Sequence, residues 1–297
     1  MQNELQYVQP IKGALFCYMG GKHLIVDWLL QYLPDRGVSC YVEPFAGTAA
    51  LFFNLPRRYE IEVLNDLDGH IANLYRVLQN PDTYTEFNHR ITYTLYSRAE
   101  FERAVEILKS GNWTSDVERA WAFFVKQNQN YAGKPENDNW GISLVRKDPS
   151  YWDNKKRKLH NFHRRLANVY VENVDAIECI RNWDSTETFF YLDPPYVPDS
   201  RKDKILYNYD TNISYHSNLV ETLLNVKGKV MLSGYPNEIY NQLEQQGWRR
   251  YIKNTVCHSI VRVRGTRWTE ENAYKNHAKR TECIWINYEP PTLRLFE

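Results

Sequence analysis

Alternation of strand-like and helix-like segments predicts an α/β protein with a mainly parallel sheet covered on both faces. Three observations carry this. Short runs of apolar, aromatic and β-branched residues recur at 40–45, 61–64, 169–172, 189–192 and 229–233. Apolar residues at helical spacing stand between or after them: Ile71, Leu74, Tyr75 and Leu78; Ile177 and Ile180; Leu219, Leu223 and Leu224; Ile239, Tyr240 and Leu243. Two further strand-like stretches, 248–256 and 282–286, close the pattern around a basic, loop-like segment that contains Arg262, Arg264, Arg267, Lys279 and Arg280.

The bulk numbers bound what such a fold does. The 297 residues, 43% of them hydrophobic, suffice for one large core or for a main domain with a smaller insertion, and two compact units are expected. Thirty-seven Lys and Arg against 36 Asp and Glu leave a net charge of +1, so affinity for a polyanion has to come from a local patch. Five scattered cysteines, with no Cys-x-x-Cys and no His partner at zinc spacing, argue for a reducing compartment and no structural metal. Residues 1–10 lack a basic leader, and the apolar runs fall far short of the ~20 residues of a membrane span, so a soluble, cytoplasmic protein is expected.

The stretch Phe189-Phe190-Tyr191-Leu192-Asp193-Pro194-Pro195-Tyr196 is the centre of the functional reading. Neither proline donates to a sheet ladder, so the strand stops and leaves Asp193 at its carboxyl end, where open α/β sheets place ligands. The stiff turn presents the Asp193 carboxylate, the Pro194 carbonyl and the Tyr196 ring at nearly fixed separations. Such a set suits a planar amine: two acceptors for an exocyclic NH2 and a ring to stack on the base. The same four residues also occur in surface turns.

Upstream, Gly20-Gly21-Lys22 precedes Ile25, Leu29, Leu30 and Leu33 at helical spacing, ended by Pro34. Lys22 in a first turn suits a carboxylate or phosphate, or is solvated on an ordinary turn; Tyr18 walls such a pocket or packs in the core. Residues 40–45 run into Ala46-Gly47-Thr48-Ala49 and then Ala50, Leu51, Phe52 and Phe53, a strand, glycine turn and helix of the kind that receives a nucleotide-like cofactor. The single Gly47 argues against a dinucleotide pyrophosphate site. Asn65-Asp66 ends the next strand; an acid there holds ribose hydroxyls, or Asp66 or Asp68 caps the following helix.

From 81 to 167 the alternation is interrupted. Ser97-x-x-Glu100 and Ser115-x-x-Glu118 predict capped helices. The polar loop 128–139 carries amides and an aromatic ring able to read base edges, or is a solvated linker. Residues 146–165 carry eight Lys or Arg against two Asp along an apolar stripe of Trp152, Leu159 and Phe162, either a phosphate-facing helix or a solvated face. His160 and His163 read as a surface pair.

Taken in order, Gly20-Gly21-Lys22, Glu43-Pro44-Phe45-Ala46-Gly47, Asn65-Asp66, Asp175 and Asp193-Pro194-Pro195-Tyr196 resemble the Dam-like, D12 class DNA adenine-N6 methyltransferases, as do Val230–Ser233 and Thr281–Asn287. The similarity covers about 11–80 and 168–290. It implies an S-adenosylmethionine-dependent, Rossmann-like fold with a seven-stranded mixed sheet, formed by 1–80 and 168–297, and a smaller, mainly helical target-recognition insertion at 81–167. By that resemblance Tyr18 and Lys22 line the methionine end of the cofactor pocket, Phe45 and Gly47 form its wall and turn, Asp66 takes the ribose and Asp175 the adenine end. Asp193 lies between the cofactor, which it also contacts, and the target, and with Pro194 and Tyr196 it receives the flipped adenine of double-stranded DNA. The family usually has Phe-x-Gly-x-Gly, and Ala49 here replaces the last glycine. Two alternatives stand beside this reading: cytosine N4, which offers the same kind of amine, and a catalytically silent DNA-binding protein on the same scaffold.

Overall fold

The computed structural model describes residues 8–18, 21–35, 37–131, 138–142, 148–195, 213–256 and 279–291. Among them, seven strands form one sheet: β1 (Cys40–Glu43), β2 (Ile61–Asn65), β3 (Tyr170–Glu172), β4 (Thr188–Leu192), β5 (Lys229–Gly234), β6 (Arg249–Val256) and β7 (Lys279–Ile286). Their order is β3-β2-β1-β4-β5-β7-β6. β1 to β5 run parallel, and β7 runs antiparallel between β5 and β6. The order reverses direction between β1 and β4, and a crevice outside the carboxyl ends of those two strands follows from the topology.

Side chains alternate across the sheet as the pleat requires. Tyr41, Leu64, Phe189, Tyr191, Met231 and Ile284 enter one core, and Val42, Val63, Phe190, Leu192, Leu232 and Trp285 enter the other. Burying each of these large side chains contributes roughly 1.5–3 kcal/mol. The second face is covered by α7 (Ala176–Trp183), α8 (Ile213–Leu224) and α9 (Asn241–Gln245), the first by α1 (Val26–Leu29) and α2 (Gly69–Gln79).

The first face also carries α3 (Pro81–Tyr93), α4 (Arg98–Ser110), α5 (Asp116–Gln129) and α6 (Asp148–Leu166). Their residues Phe87, Ile91, Ala104, Trp121, Phe124, Trp152 and Phe162 belong to the same apolar cluster as Tyr41, Phe52 and Phe53. The helical stretch thus shares its core with the sheet. Ser97 and Ser115 cap as their spacing predicts, accepting from the backbone N–H of Glu100 and Glu118 at 3.3 and 3.1 Å. The Glu118 carboxylate turns instead to the backbone and hydroxyl of Thr114, 2.8 Å from each. Helix α3 has its own signal in Asn80-Pro81: the Asn80 side chain accepts from Asp82 N at 2.9 Å and proline occupies the first helical position.

Two expected helices differ. The run after Gly47 forms turns and a single 3-10 turn, Phe52–Asn54. The Glu43 carboxylate takes the Phe52 N–H at 2.9 Å, Asn54 bonds back to the Ala50 carbonyl, and Ala49 adopts a left-handed φ of 48°; tertiary partners there replace helical ones. Residues 22–32 break into a 3-10 turn, the four-residue α1 and a second 3-10 turn.

Of the polar stretch, the amides at 128–130 are packed inside rather than solvated, while Tyr131 is exposed. Gln127, Asn128, Gln129 and Asn130 are buried, and Gln129 clamps the chain at Leu95 and Ser97 with bonds of 2.9 and 3.2 Å. Residues 132–137 lie outside the described ones, as do 257–278 with Arg262, Arg264 and Arg267; the side chains of Lys279 and Arg280 do too. Of the described basic residues on α6, Lys156 and Lys158 donate to the carbonyls of Thr92 and Lys12 at 3.1 and 2.9 Å, and Lys155 to that of Ala14. Arg157 pairs with Asp153 at 2.9 Å, Arg165 is buried, and Arg164 is exposed. Much of this charge fastens the helix to the protein. No helix among the described residues is long and apolar enough to cross a membrane.

Candidate functional site

The carboxyl edge of the sheet gathers a cluster of charge. β4 ends at Leu192 and releases Asp193, whose carboxylate lies 2.7 Å from the Lys22 ammonium. Lys22 belongs to the 3-10 turn before α1 and is buried, with the β7 carboxylate of Glu282 also 3.9 Å away. Burial opposes the charge on Lys22, but Asp193 and Glu282 outweigh it and hold the amine above its usual lysine value. Burial pushes the Asp193 carboxyl up while Lys22 pulls it back. Lys22 therefore opposes the protonation that burial favours at Asp193.

At the end of neighbouring β1, Glu43 is buried and accepts from the Tyr41 hydroxyl at 2.5 Å and the Phe52 N–H at 2.9 Å. Burial lifts its carboxyl to about 8 despite those two donors. Glu43 and Glu282 are the acids that sequence patterns left without a role. Their signal is a carboxylate directly adjoining the apolar run of a strand, Cys40–Val42 for Glu43 and Cys283–Ile286 for Glu282.

Beyond Glu43 the chain turns at Gly47, with φ 49° and nothing within 4 Å of where a Cβ would stand. The turn is pinned from both sides. Its N–H donates to Asp66 Oδ2 at 2.7 Å, and its carbonyl accepts from the Tyr75 hydroxyl at 2.6 Å. Asp66 Oδ1 takes the Asp68 N–H at 2.9 Å, and burial raises the Asp66 carboxyl to about 7. Asp68, not Asp66, caps α2, accepting from His70 N at 2.8 Å. The neighbouring Asn65 ties three segments together through the Pro44 carbonyl, the Val174 carbonyl and the Val174 N–H at 2.9, 3.1 and 3.0 Å. That fixes the entry to Asp175, which caps α7 at Ile177 N, 2.9 Å, and accepts from the Tyr215 hydroxyl at 3.1 Å.

Lys22, Gly47, Asp66, Asp175 and Asp193 thus fall along the carboxyl edge of the sheet. Gly21 sits against the Gly47 turn, since a Cβ there would stand 3.7 Å from Thr48 Oγ1, and its N–H donates to the Tyr18 carbonyl at 3.4 Å. Tyr18 is half-buried and meets Phe16 edge-on; Phe45 is half-buried against the second core. Pro194 is buried, and Tyr196 lies outside the described residues.

A family model described as D12 class N6 adenine-specific DNA methyltransferase matches residues 18–258. The chain belongs to that family. The chain is similar to type II methyltransferase M.MjaIII of Methanocaldococcus jannaschii, 26% identical over 271 residues, which are 84% of this chain and 92% of that one. M1.LlaDCHI of Lactococcus lactis subsp. cremoris is 27% identical over 291 residues, covering 91% and 94%. The DNA adenine methylase of Escherichia coli K12 is 23% identical over 267 residues, covering 86% and 91%. A D12 methyltransferase acts on DNA adenine, and the family implies S-adenosylmethionine as methyl donor. The donor set fits that group: a buried ammonium at one end, an open glycine turn in the middle and a backbone-pinned carboxylate beside it.

Proposed function

We propose that the carboxyl edge between β1 and β4 is where a target adenine in double-stranded DNA meets the methyl donor, within the cytoplasm. The observation that carries this is the Lys22 to Asp193 contact of 2.7 Å at the crossover of the sheet, beside Gly47 and Asp66. S-adenosylmethionine, when bound, supplies a methyl group activated by its sulfonium. Lys22 and Tyr18 would hold its methionine end, Phe45 and Gly47 its flank, Asp66 the ribose hydroxyls and Asp175 the adenine end.

Adenine N6 is a poor nucleophile because its lone pair is delocalised into the ring. Asp193 and the Pro194 carbonyl each accept one N–H, which favours a pyramidal amine and stabilises positive charge as it develops. Prior loss of a proton is not required. The base has to leave the duplex at a cost of a few kcal/mol, and stacking on Tyr196, about 1–3 kcal/mol, offsets much of it. We assign residues 81–167 to target recognition, since they occupy the slot between the two catalytic segments.

Expression in a methylation-free host, followed by sequencing of modified bases, tests the reading. N6-methyladenine at a fixed sequence is expected from the wild type and none from Asp193→Ala, with DNA retention largely intact; wild-type labelling by that variant would exclude the role given to Asp193.

A further inference from the structure

Asp175, the acid assigned to the adenine end of the cofactor, is held from three sides. Asn65 fixes the chain just before it, donating to the Val174 carbonyl at 3.1 Å and accepting the Val174 N–H at 3.0 Å. Both oxygens of the Asp175 side chain are then engaged. Oδ1 accepts the Ile177 N–H at 2.9 Å, capping α7, and Oδ2 accepts the Tyr215 hydroxyl at 3.1 Å. Tyr215 comes from a different element, the first turn of α8, and its ring packs against the second core. Asp175 and Tyr215 border an open cavity of about 650 Å³ that they share with Ile177 and Arg181, so the pair is not sealed inside the protein.

The second anchor changes what the carboxylate can do. A single hydrogen bond fixes one oxygen and lets the group swing about it, whereas a donor on each oxygen fixes the plane. Burial and the Asp175 charge hold the Tyr215 phenol above its usual value, so the hydroxyl stays protonated and donates. Each Asp175 oxygen keeps a second lone pair, which only a donor satisfies. The exocyclic NH2 of adenine is such a donor. In the deaminated ring a 6-oxo acceptor takes its place, and the nearest donor moves to N1. A carboxylate free to swing can follow that donor; one fixed in its plane meets the oxygen instead.

We propose that Tyr215 is a positioning residue that sets cofactor specificity: its hydroxyl fixes the plane of the Asp175 carboxylate, so that the pocket takes a 6-amino purine and rejects a 6-oxo one. This rests on the adenine-end role given to Asp175 above.

The test is titration calorimetry of the full chain with S-adenosylhomocysteine and with S-inosylhomocysteine, which differ only in the 6-amino or 6-oxo form of the purine, alongside thermal unfolding midpoints. The wild type is expected to prefer the adenosyl form by about 10²-fold or more. Tyr215→Phe keeps the ring and its packing but removes the donor. It is expected to bind the adenosyl form about tenfold more weakly, the scale of one hydrogen bond to a charged group, and the inosyl form within about twofold of wild type. The preference therefore falls about tenfold in that variant. A purely structural role weakens both ligands alike, so an equal loss for the two overturns the inference, as does a wild-type preference in a folded Tyr215→Phe. Asp175→Asn, run in parallel, keeps the helix cap and offers an amide N–H to the ring; its two affinities are expected to lie within about tenfold of each other. An undiminished preference in Asp175→Asn, or none in the wild type, overturns the reading of Asp175 and this inference with it. An undiminished preference in Tyr215→Phe alone overturns only the role of Tyr215.

Discussion

The Arg165 guanidinium holds the Glu62 carboxylate with two hydrogen bonds of 2.6 and 2.8 Å while its flat face lies 3.7 Å from the Phe52 ring centroid. Both side chains are almost fully enclosed, 2% and 3% exposed. The pair joins the end of the basic helix to the strand that carries Asn65 and Asp66. Arg165→Met strands a buried carboxylate and is expected to cost about 3–5 kcal/mol in urea unfolding, whereas the double variant Arg165→Met, Glu62→Leu returns much of that.

Lys22 gives a kinetic prediction. Its ammonium opposes the upward push of burial on Asp193, so Lys22→Met raises the Asp193 carboxyl further. The acid limb of the pH profile for methyl transfer therefore moves to higher pH in the variant. Each unit of movement lowers the rate on that limb about tenfold. Rates measured from pH 6 to 9 with saturating cofactor check this, and an unshifted limb contradicts it.

Glu43 gives a stability prediction. Its carboxyl is raised from 4.5 in the reference state to about 8 in the fold, so the folded chain keeps a proton that the unfolded chain releases. That contribution is complete below about 4.5 and is lost as the pH rises through about 8. Glu43→Gln removes the ionisation, so its stability relative to wild type is expected to grow between pH 5 and 8. Denaturant midpoints for the two proteins across that window measure the difference.

Ala49 occupies the place where the family usually has glycine, and its φ of 48° explains the usual choice. Left-handed backbone costs a residue with a Cβ about 1–2 kcal/mol. The methyl is fully buried in the main core, and that burial, about 0.8 kcal/mol for such a group, offsets part of the strain. Ala49→Gly is therefore expected to shift stability by less than about 1 kcal/mol, while Ala49→Val, β-branched and bulkier, destabilises by more than about 2 kcal/mol. Thermal unfolding of the two variants distinguishes them.

The parallel strands were legible because most are short apolar runs with a clear stop, Pro194 after Leu192 being the plainest. The corner residues were legible for the same reason: Lys22, Gly47, Asp66 and Asp193 stand where elements end. What sequence patterns could not give are partnerships set by three-dimensional packing. Glu282 meets Lys22 across nearly the whole chain, Asp68 takes the cap that Asp66 was equally suited to take, and the run after Phe45 forgoes its helix for the Glu43 carboxylate. On α6 periodicity found the helix, but charge alone did not reveal that Lys156 and Lys158 are tethered to nearby carbonyls.

The placement of β7 has a consequence for biosynthesis. It is the last described strand to be made, yet it lies between β5 and β6 and brings Glu282 to Lys22. A nascent chain that has emerged only as far as β6 possesses the Asp193 corner but leaves one edge of β5 bare and lacks the second carboxylate beside the ammonium. The charge cluster at the end of β4 is thus completed only after the closing strand has paired with β5.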